Sequence, residues 1–348
     1  MADRAGGKPG PVPAPIGGEG AQHLILISAL KAAGGLGLLL FGGEVLLRGA
    51  VGLAAQFGLS KLLIGFTVVA AATSMPELVV VLAAGLEGFP DVGVGNVVGS
   101  NIANILLILG AGALLWPIAT RPSEVMRDGI AVLAASLLFV AFALIGTFSW
   151  IHGTIMLALL VGYLTYSYRR ERRMKRARAN EETEEAEDSE EAGLPSRWPV
   201  AVGLVLLGVV LLVVGSELLI DGAVDIARAI GVSDAVIGLT LVAVGTSLPE
   251  LATAIVAGLR HHSEVALGNV LGSNLFNILA VLGVMSIAVP FSVSSEILGL
   301  DLWVMLGVSL LLLPVMLTGW RIGRGEGAFF LVLYAAYIGI QFQRMPMS

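Results

Sequence analysis

The sequence GFTVVAAATSMPE at residues 65–77 returns as GLTLVAVGTSLPE at residues 238–250. A second pair, GNVVGSNIANI at 95–105 and GNVLGSNLFNI at 268–278, keeps the same offset of 173 residues. Close helix packing explains why glycines and other small residues would recur. It does not explain why a glutamate, a proline and several asparagines recur at matched places. The pattern therefore predicts a duplicated unit whose polar residues were retained for a function.

The overall composition places the chain in a membrane. Of its 348 residues, 56% are hydrophobic and only 13% are charged, and the mean hydropathy is +0.90. Soluble domains carry about 25% charged residues, so this chain lacks the polar surface that water requires. The absence of cysteine excludes disulfides, thiolate metal sites and thiol catalysis. The sequence contains no His-Glu-x-x-His motif and no nucleophile elbow, which argues against a membrane enzyme.

Apolar runs long enough for a membrane helix, which needs about 20 residues, recur along the chain. We predict ten of them, and with them an all-α polytopic membrane protein. They cover residues 24–47, 62–84, 94–115, 128–147, 152–168, 199–220, 235–257, 264–285, 300–319 and 326–342. The predicted organisation is a disordered N-terminal tail at 1–23, a membrane repeat at 24–168, a charged linker at 169–198, a second membrane repeat at 199–343 and a C-terminal tail at 344–348.

The linker decides the predicted orientation. It contains the basic run YRRERRMKRARAN at residues 168–180, followed by the acidic run EETEEAEDSEEAG at 181–193. Basic segments stay on the cytoplasmic side of a membrane, so we expect the linker in the cytoplasm. Each repeat then holds an odd number of spans, which inverts one repeat relative to the other and leaves both termini outside. The expected location is the inner or plasma membrane, crossed several times.

The Thr-Ser-x-Pro-Glu motif lies in the middle of two apolar spans. Proline lacks an N–H group and clashes with the carbonyl four residues earlier, so Pro76 and Pro249 predict broken helices with freed carbonyl oxygens, which are good ligands for Na⁺ and Ca²⁺. An ionised carboxylate at the bilayer centre costs about 2.5–3.5 kcal/mol. Glu77 and Glu250 together would be neutralised by one Ca²⁺ or two monovalent cations. The alternative is a pair of protonated glutamates that bond to neighbouring helices.

Polar side chains accompany the glutamates at helical spacing. Four hydroxyl groups precede them by three and four residues, on the same helical face: Thr73, Ser74, Thr246 and Ser247. The next spans carry two polar stripes at four-residue steps, formed by Asn96, Ser100 and Asn104 and by Asn269, Ser273 and Asn277. We predict that these groups add neutral oxygen ligands. Serine and threonine also bond back to their own helix, and Asn96 and Asn269 are equally suited to cap a helix.

Two further acidic features receive a structural interpretation. Glu44 and Glu217 are matched by the repeat but lie near span ends. Arg48 stands one turn after Glu44, so we expect a surface ion pair there rather than a cation ligand. The acidic run from Glu181 to Glu191 is interpreted as a solvated linker.

With these motifs, the chain resembles the cation/calcium exchanger superfamily (CaCA), and within it the prokaryotic sodium/calcium exchanger branch. The resemblance covers nearly the whole chain and implies that the second, third, seventh and eighth of ten helices surround the ions. The first and sixth helices would lie slanted outside this core and slide. The ligands that it implies are Glu77, Glu250, Thr73, Ser74, Thr246, Ser247, Ser100 and Ser273, with backbone carbonyls at Ala70 and Ala243, and Asn104 and Asn277 facing the centre.

Two positions bear on the coupling ion. Some relatives carry an aspartate where this chain has Asn277, so the ion count and the proton sensitivity stay open. Proton-coupled relatives typically carry a glutamate shortly after Gly-Asn, whereas Gly95-Asn96 is followed here by Val-Val-Gly. This difference favours Na⁺ over H⁺.

The sequence thus predicts a secondary active antiporter that exchanges Na⁺ for Ca²⁺ by alternating access at a central two-glutamate site. A Ca²⁺/H⁺ antiporter and, less favoured, a passive cation channel remain alternatives. The expected partners are Ca²⁺, Na⁺ and the lipid bilayer, with no nucleic acid. We expect no cofactor besides the transported ions, and the oligomeric state, a monomer included, stays open.

Overall fold

The computed structural model describes residues 18–119, 122–181, 195, 197–230 and 245–344. Its helices are α1 (Gly18–Phe57), α2 (Lys61–Thr73), α3 (Met75–Leu86), α4 (Pro90–Leu115), α5 (Pro122–Ile145), α6 (Trp150–Glu181), α7 (Trp198–Ala229), α8 (Leu248–Leu259), α9 (Ser263–Ala288), α10 (Ile297–Leu317) and α11 (Arg324–Arg344). Four two-residue strands lie between them: β1 (Ile118–Ala119), β2 (Thr147–Phe148), β3 (Phe291–Ser292) and β4 (Arg321–Ile322).

The predicted all-α membrane fold is confirmed. Eight of the described helices are long and apolar enough to cross a bilayer, and the count reaches nine when α2 and α3, bent by 42°, form one broken span. The predicted span at 235–257 is described only from Gly245 onward, so the prediction of ten spans stays open. Helix α1 begins at Gly18, inside the predicted tail, and α6 continues to Glu181, well into the predicted linker. Residues 1–17, 182–194, 196 and 345–348 of the tails and linker lie outside the described residues.

The first helices of the two halves, α1 and α7, pack along each other in antiparallel directions. Their contacts are lined by glycines seven residues apart: Gly35, Gly42 and Gly49 on α1, and Gly208, Gly215 and Gly222 on α7. A Cβ atom placed on Gly35 would lie 2.6 Å from the carbonyl oxygen of Gly215, and one on Gly215 would lie 2.9 Å from the carbonyl oxygen of Gly35. The two backbones therefore approach as closely as small residues allow.

The core of the protein is formed by α2, α3, α4, α8 and α9. Helices α4 and α9 are the most deeply buried of the candidate spans. Residues 65–69, 104–109 and 277–281 form wider π-helical turns inside α2, α4 and α9. Such turns often mark functional sites because they shift the helical register locally. Gly268 and Gly272 of α9 contact the backbone of α2 at Leu62 and Phe66, which fixes α2 beside α9.

The strands connect the two halves outside this core. Strand β1 pairs antiparallel with β4, and β2 pairs antiparallel with β3. Each pair thus joins one loop of the first half to one loop of the second half.

We expect the variant Gly215→Val to lower the free energy of unfolding by about 1–3 kcal/mol, the usual cost of overpacking, because its Cβ would lie 2.8 Å from the backbone nitrogen of Leu39. The matched control is Gly203→Val on the same helix, where no atom lies within 4 Å of the added Cβ. Thermal unfolding of the detergent-solubilised protein measures both. Equal melting temperatures for the two variants would contradict the close α1–α7 contact.

Candidate ion-binding site

The two Thr-Ser-x-Pro-Glu motifs place their glutamates at helix breaks. Ser74 and Ser247, with φ of −83° and −90° and ψ of 5° in both, are the residues immediately before α3 and α8, and Ser74 also follows the end of α2. Each proline occupies the first turn of the new helix, where its missing N–H costs nothing. Glu77 and Glu250 lie in these first turns, at the positive ends of the helix dipoles. Their exposed fractions are only 1% and 0%.

The carboxylate of Glu250 is surrounded by hydroxyl groups from both halves. Ser74 Oγ lies 3.5 Å from Glu250 Oε1 in a weak hydrogen bond, and the hydroxyls of Thr73 and Ser273 face the same carboxylate. Glu77 and Glu250 are close enough to repel each other when both are ionised. The structure therefore brings the two glutamates, predicted from matched motifs 173 residues apart, into one buried site.

The remaining hydroxyl and amide groups contact each other in reciprocal pairs. Thr73 Oγ1 donates a hydrogen bond to Asn269 Oδ1 at 3.1 Å, and Asn96 Nδ2 donates one to Thr246 Oγ1 at 3.3 Å. These two contacts are equivalent under the offset of 173 residues. The hydroxyls of Ser247 and Ser100 are 3.4 Å apart, as are those of Thr73 and Ser273. All of the predicted hydroxyl residues are thus in or beside the site.

An asparagine cluster joins α4 to α9 at the centre of the protein. Asn101 Nδ2 donates to the backbone carbonyl of Asn274, and Asn274 Nδ2 donates to that of Asn101, both at 3.4 Å. Asn104 Nδ2 donates to Asn274 Oδ1 at 3.0 Å, and Asn277 Nδ2 donates to Asn101 Oδ1 at 3.2 Å. Asn104 and Asn277 therefore join α4 to α9 through their amide nitrogens, and the role at the ion site that the resemblance implies for them stays a prediction.

Sequence reasoning missed Asn101, Asn274 and Thr253. The first two stand one position after Ser100 and Ser273, outside the polar stripes, although the repeat preserves both. Thr253 is fully buried on α8, three residues after Glu250, and its hydroxyl has no hydrogen-bond partner in the part of the chain that the structure describes. A polar residue one turn from Glu250 on an apolar helix was the available signal.

Several buried oxygens of the site accept no hydrogen bond. Among the described residues they are both carboxylate oxygens of Glu77, Oε2 of Glu250, and the amide oxygens of Asn96, Asn104 and Asn277. Buried polar atoms in proteins almost always have a partner, and oxygens without donors are what Na⁺ and Ca²⁺ bind. Within the described part of the chain, no three His, Cys, Asp or Glu side chains come together. The negative charge here therefore comes from two glutamates.

Of the two backbone carbonyls predicted as ligands, at Ala70 and Ala243, the structure describes only that of Ala70. The carbonyl oxygen of Ala70 accepts a hydrogen bond from the backbone N–H of Ser74 at 3.0 Å and a longer one, at 3.4 Å, from the hydroxyl of Thr73. It is thus engaged in the helix end. Ala243 lies outside the described residues.

Comparisons with known proteins agree with this geometry. The sequence profile of the sodium/calcium exchanger protein family matches the chain twice, at residues 27–169 and 200–343. The chain belongs to this family. The two matches correspond to the two halves, and they make the protein a membrane transporter of the exchanger class rather than an enzyme.

Individual relatives cover almost the whole chain. The sodium/calcium exchanger MaX1 of Methanosarcina acetivorans is 34% identical over 348 residues, which is 92% of this chain and 99% of the relative. The inner membrane protein YrbG of Escherichia coli is 34% identical over 330 residues, 93% of this chain and 99% of the relative. Among solved structures, the sodium-calcium exchanger NCX_Mj soaked with 10 mM Na⁺ and zero Ca²⁺ is similar to this chain, with 33% sequence identity and a TM-score of 0.75. The match covers 90% of this chain and 99% of the NCX_Mj chain. The family and the cation/calcium exchange class that we predicted are confirmed.

The asparagine cluster should contribute measurably to stability. We expect Asn101→Ala and Asn274→Ala each to lower the free energy of unfolding by about 1–3 kcal/mol, because each leaves buried partners without hydrogen bonds. In a double-mutant cycle the two losses should not add, since the residues share the same bonds. The control cycle combines Asn101→Ala with Ser286→Ala, whose buried hydroxyl donates to the carbonyl of Leu282 on α9. Among the described contacts these two residues share no hydrogen bond, so their losses should add. Additive losses for Asn101 and Asn274 would show that the cluster does not act as one unit.

Proposed function

We propose that the protein exchanges Na⁺ for Ca²⁺ across the membrane by alternating access at the site formed by Glu77 and Glu250. The observation that carries this proposal is the buried pair of carboxylates with unpartnered oxygens. Two ionised carboxylates in a low-dielectric interior need a compensating charge. One Ca²⁺ or two Na⁺ ions supply the same positive charge. Each ion therefore displaces the other from the same oxygens, which is the competition that an antiporter requires.

The proposed ligand set contains the two carboxylates and the neutral oxygens around them. We assign it to Glu77, Glu250, Thr73, Ser74, Thr246, Ser247, Ser100, Ser273, Asn104 and Asn277, and to the carbonyls of Ala70 and Ala243. What supports the set is the clustering of its described side chains and the absence of donors on several oxygens. Ca²⁺ takes six to eight oxygen ligands, a number that two glutamates alone do not supply. The neutral groups complete the shell without adding charge.

The inverted arrangement of the two halves is also part of the proposal. The offset of 173 residues, the antiparallel contact of α1 with α7 and the reciprocal asparagine bonds all support it. Inverted repeats with broken helices around a midplane ion site are a recurring architecture of secondary transporters. We further propose a cytoplasmic linker at 169–198 between two membrane units at 24–168 and 199–343, on the basis of its arginine-rich run.

We expect Glu77→Gln and Glu250→Gln each to reduce Na⁺-driven Ca²⁺ uptake into proteoliposomes by at least about tenfold. The reason is that an amide keeps the shape of the side chain but removes half of the negative charge that holds Ca²⁺. Glu296→Gln, which changes an exposed carboxylate on the protein surface, is the matched control and should transport normally. Flux at the wild-type level in both site variants would refute the two-glutamate site.

The coupling ion is tested by the driving gradient. We expect Ca²⁺ uptake into proteoliposomes to depend on an outward Na⁺ gradient at equal pH on both sides, because Gly95-Asn96 is followed by Val-Val-Gly and not by the glutamate typical of proton-coupled relatives. A pH gradient without Na⁺ should drive little uptake. Uptake that follows the pH gradient alone would favour Ca²⁺/H⁺ exchange, and Ca²⁺ flux without any counter-ion would favour a channel.

A further inference from the structure

Helix α1 covers one end of the ion site. A Cβ atom placed on Gly43 of α1 would lie 3.2 Å from Val256 Cγ2 and 3.4 Å from the carbonyl oxygen of Ala252, both on α8. Ala252 and Val256 are each only 6% exposed. The face of α8 that leads away from Glu250 is therefore closed by α1.

The equivalent face of α3 is open. The residues 173 positions before Ala252 and Val256 are Val79 and Ala83. Val79 is 67% exposed, and Ala83 is exposed as well. The two halves are thus alike in sequence but differ in conformation, with one side of the site covered and the other uncovered.

The covered and uncovered ends lie on opposite sides of the membrane. Lys61 Nζ, at the start of α2, is 3.2 Å from His262 Nδ1, in the loop that follows α8. The end of α8 at Arg260 is therefore on the side where α2 begins. Helix α3 continues from α2 towards the other side and ends before Glu87. We call these the Arg260 side, which is covered, and the Glu87 side, which is uncovered.

An ion-pair cluster fastens the covered side. Glu44 of α1 accepts a hydrogen bond from Arg260 Nε on Oε2 at 2.8 Å and one from Arg48 Nε on Oε1 at 2.7 Å. Because Arg48 belongs to α1 itself, only the bond to Arg260 joins α1 to the end of α8. Glu44 and Arg48 thus form the surface ion pair that their spacing predicted, and Glu44 also joins α1 to the end of α8 through Arg260.

The equivalent positions on the Glu87 side carry the opposite chemistry. Adding 173 to 44 and 48 leads to Glu217 and Asp221 on α7, and subtracting 173 from 260 leads to Glu87. If α7 packed on α3 as α1 packs on α8, the carboxylates of Glu217, Asp221 and Glu87 would approach one another. None of these three positions carries an arginine, whereas Arg48 and Arg260 occupy the equivalent positions on the covered side. Like charges at close range repel, and this costs free energy even near the surface.

We propose that Glu44 and Arg260 form an electrostatic latch that holds the exchanger closed on the Arg260 side, while Glu87, Glu217 and Asp221 disfavour the mirror-image closure on the Glu87 side. The proposal rests on the alternating-access function above, in which the two halves exchange conformations. In the absence of ion gradients, the latch sets the ratio between the state closed on the Arg260 side and the state closed on the Glu87 side. Glu44 and Arg260 lie outside the ion site, so they alter this ratio without binding the transported ions.

The native chain contains no cysteine, so single introduced cysteines report access without further changes. We would place one at Val256, on the covered face, or one at Ala83, on the uncovered face, and measure the rate of labelling by a membrane-impermeant maleimide from each side of membrane vesicles. Labelling is measured without ion gradients and so does not depend on flux. The side from which each cysteine reacts also tests the proposed orientation. With a cytoplasmic linker at 169–198 and predicted spans at 199–220 and 235–257, the chain crosses twice and returns to the cytoplasmic side at Arg260.

We expect Arg260→Gln to raise the labelling rate of Val256→Cys and to lower that of Ala83→Cys, each about twofold to fivefold, the range set by exposed ion pairs. The charge exchange Glu44→Arg with Arg260→Glu should restore the original rates, because it rebuilds the pair in reverse. Glu87→Arg alone should lower labelling of Ala83→Cys, because it supplies the cation that the mirror-image closure lacks. Each change should shrink at high ionic strength.

Glu296→Gln should leave both labelling rates unchanged and serves as the control. Unchanged rates in Arg260→Gln, or a charge exchange that behaves like the single variant, would overturn the latch. Size-exclusion profiles verify that each variant is folded. If Arg260→Gln is unstable, the double variant Glu44→Arg with Arg260→Glu still tests the latch. If the labelling rates change as expected but the protein shows no Na⁺-driven Ca²⁺ flux, the proposed exchange function is overturned and the latch is not. Failure of the latch and failure of the exchange function are therefore distinguishable.

Discussion

Two carboxylates in the interior of an apolar protein impose a single requirement on everything around them: their charge must be balanced. Glu77 and Glu250 lie in the first turns of α3 and α8, and at least 99% of each residue is buried. The groups around them are mostly hydroxyls and amides, and several of their oxygens have no hydrogen-bond donor among the described residues. The helix breaks, the π-helical turns and the close glycine contacts are the means by which the chain brings these oxygens together without exposing backbone to lipid.

The asparagine cluster joins the two most deeply buried helices beside the site. Asn101 and Asn274 exchange hydrogen bonds between side chain and backbone, and Asn104 and Asn277 extend the same arrangement. Amide groups suit this place because they join the helices through donors and still leave oxygens directed inward. A charged pair in the same place would have added ionised groups close to Glu77 and Glu250.

The sequence was most informative where a polar residue recurs in an apolar span. The glutamates, the hydroxyls and the all-helical fold followed from the repeat and from hydropathy, since these features are local or periodic. Asn101, Asn274 and Thr253 were missed because their roles depend on which helix faces them, and spacing along one helix does not reveal this. The difference between Val79 and Ala252 was also inaccessible. Two halves with matching sequences give no sign of which one is covered.

The short strand pairs carry a consequence for how force passes through the protein. One pair links the loop before α5 to the loop before α11, and the other links the loop after α5 to the loop after α9. Helices α5 and α10 are thereby tied to each other at both of their ends. Among the described residues no strand adjoins α1 or α7, whose contact is lined by glycines and carries no such backbone tie. A displacement of α1 and α7 along each other would therefore leave both strand pairs intact.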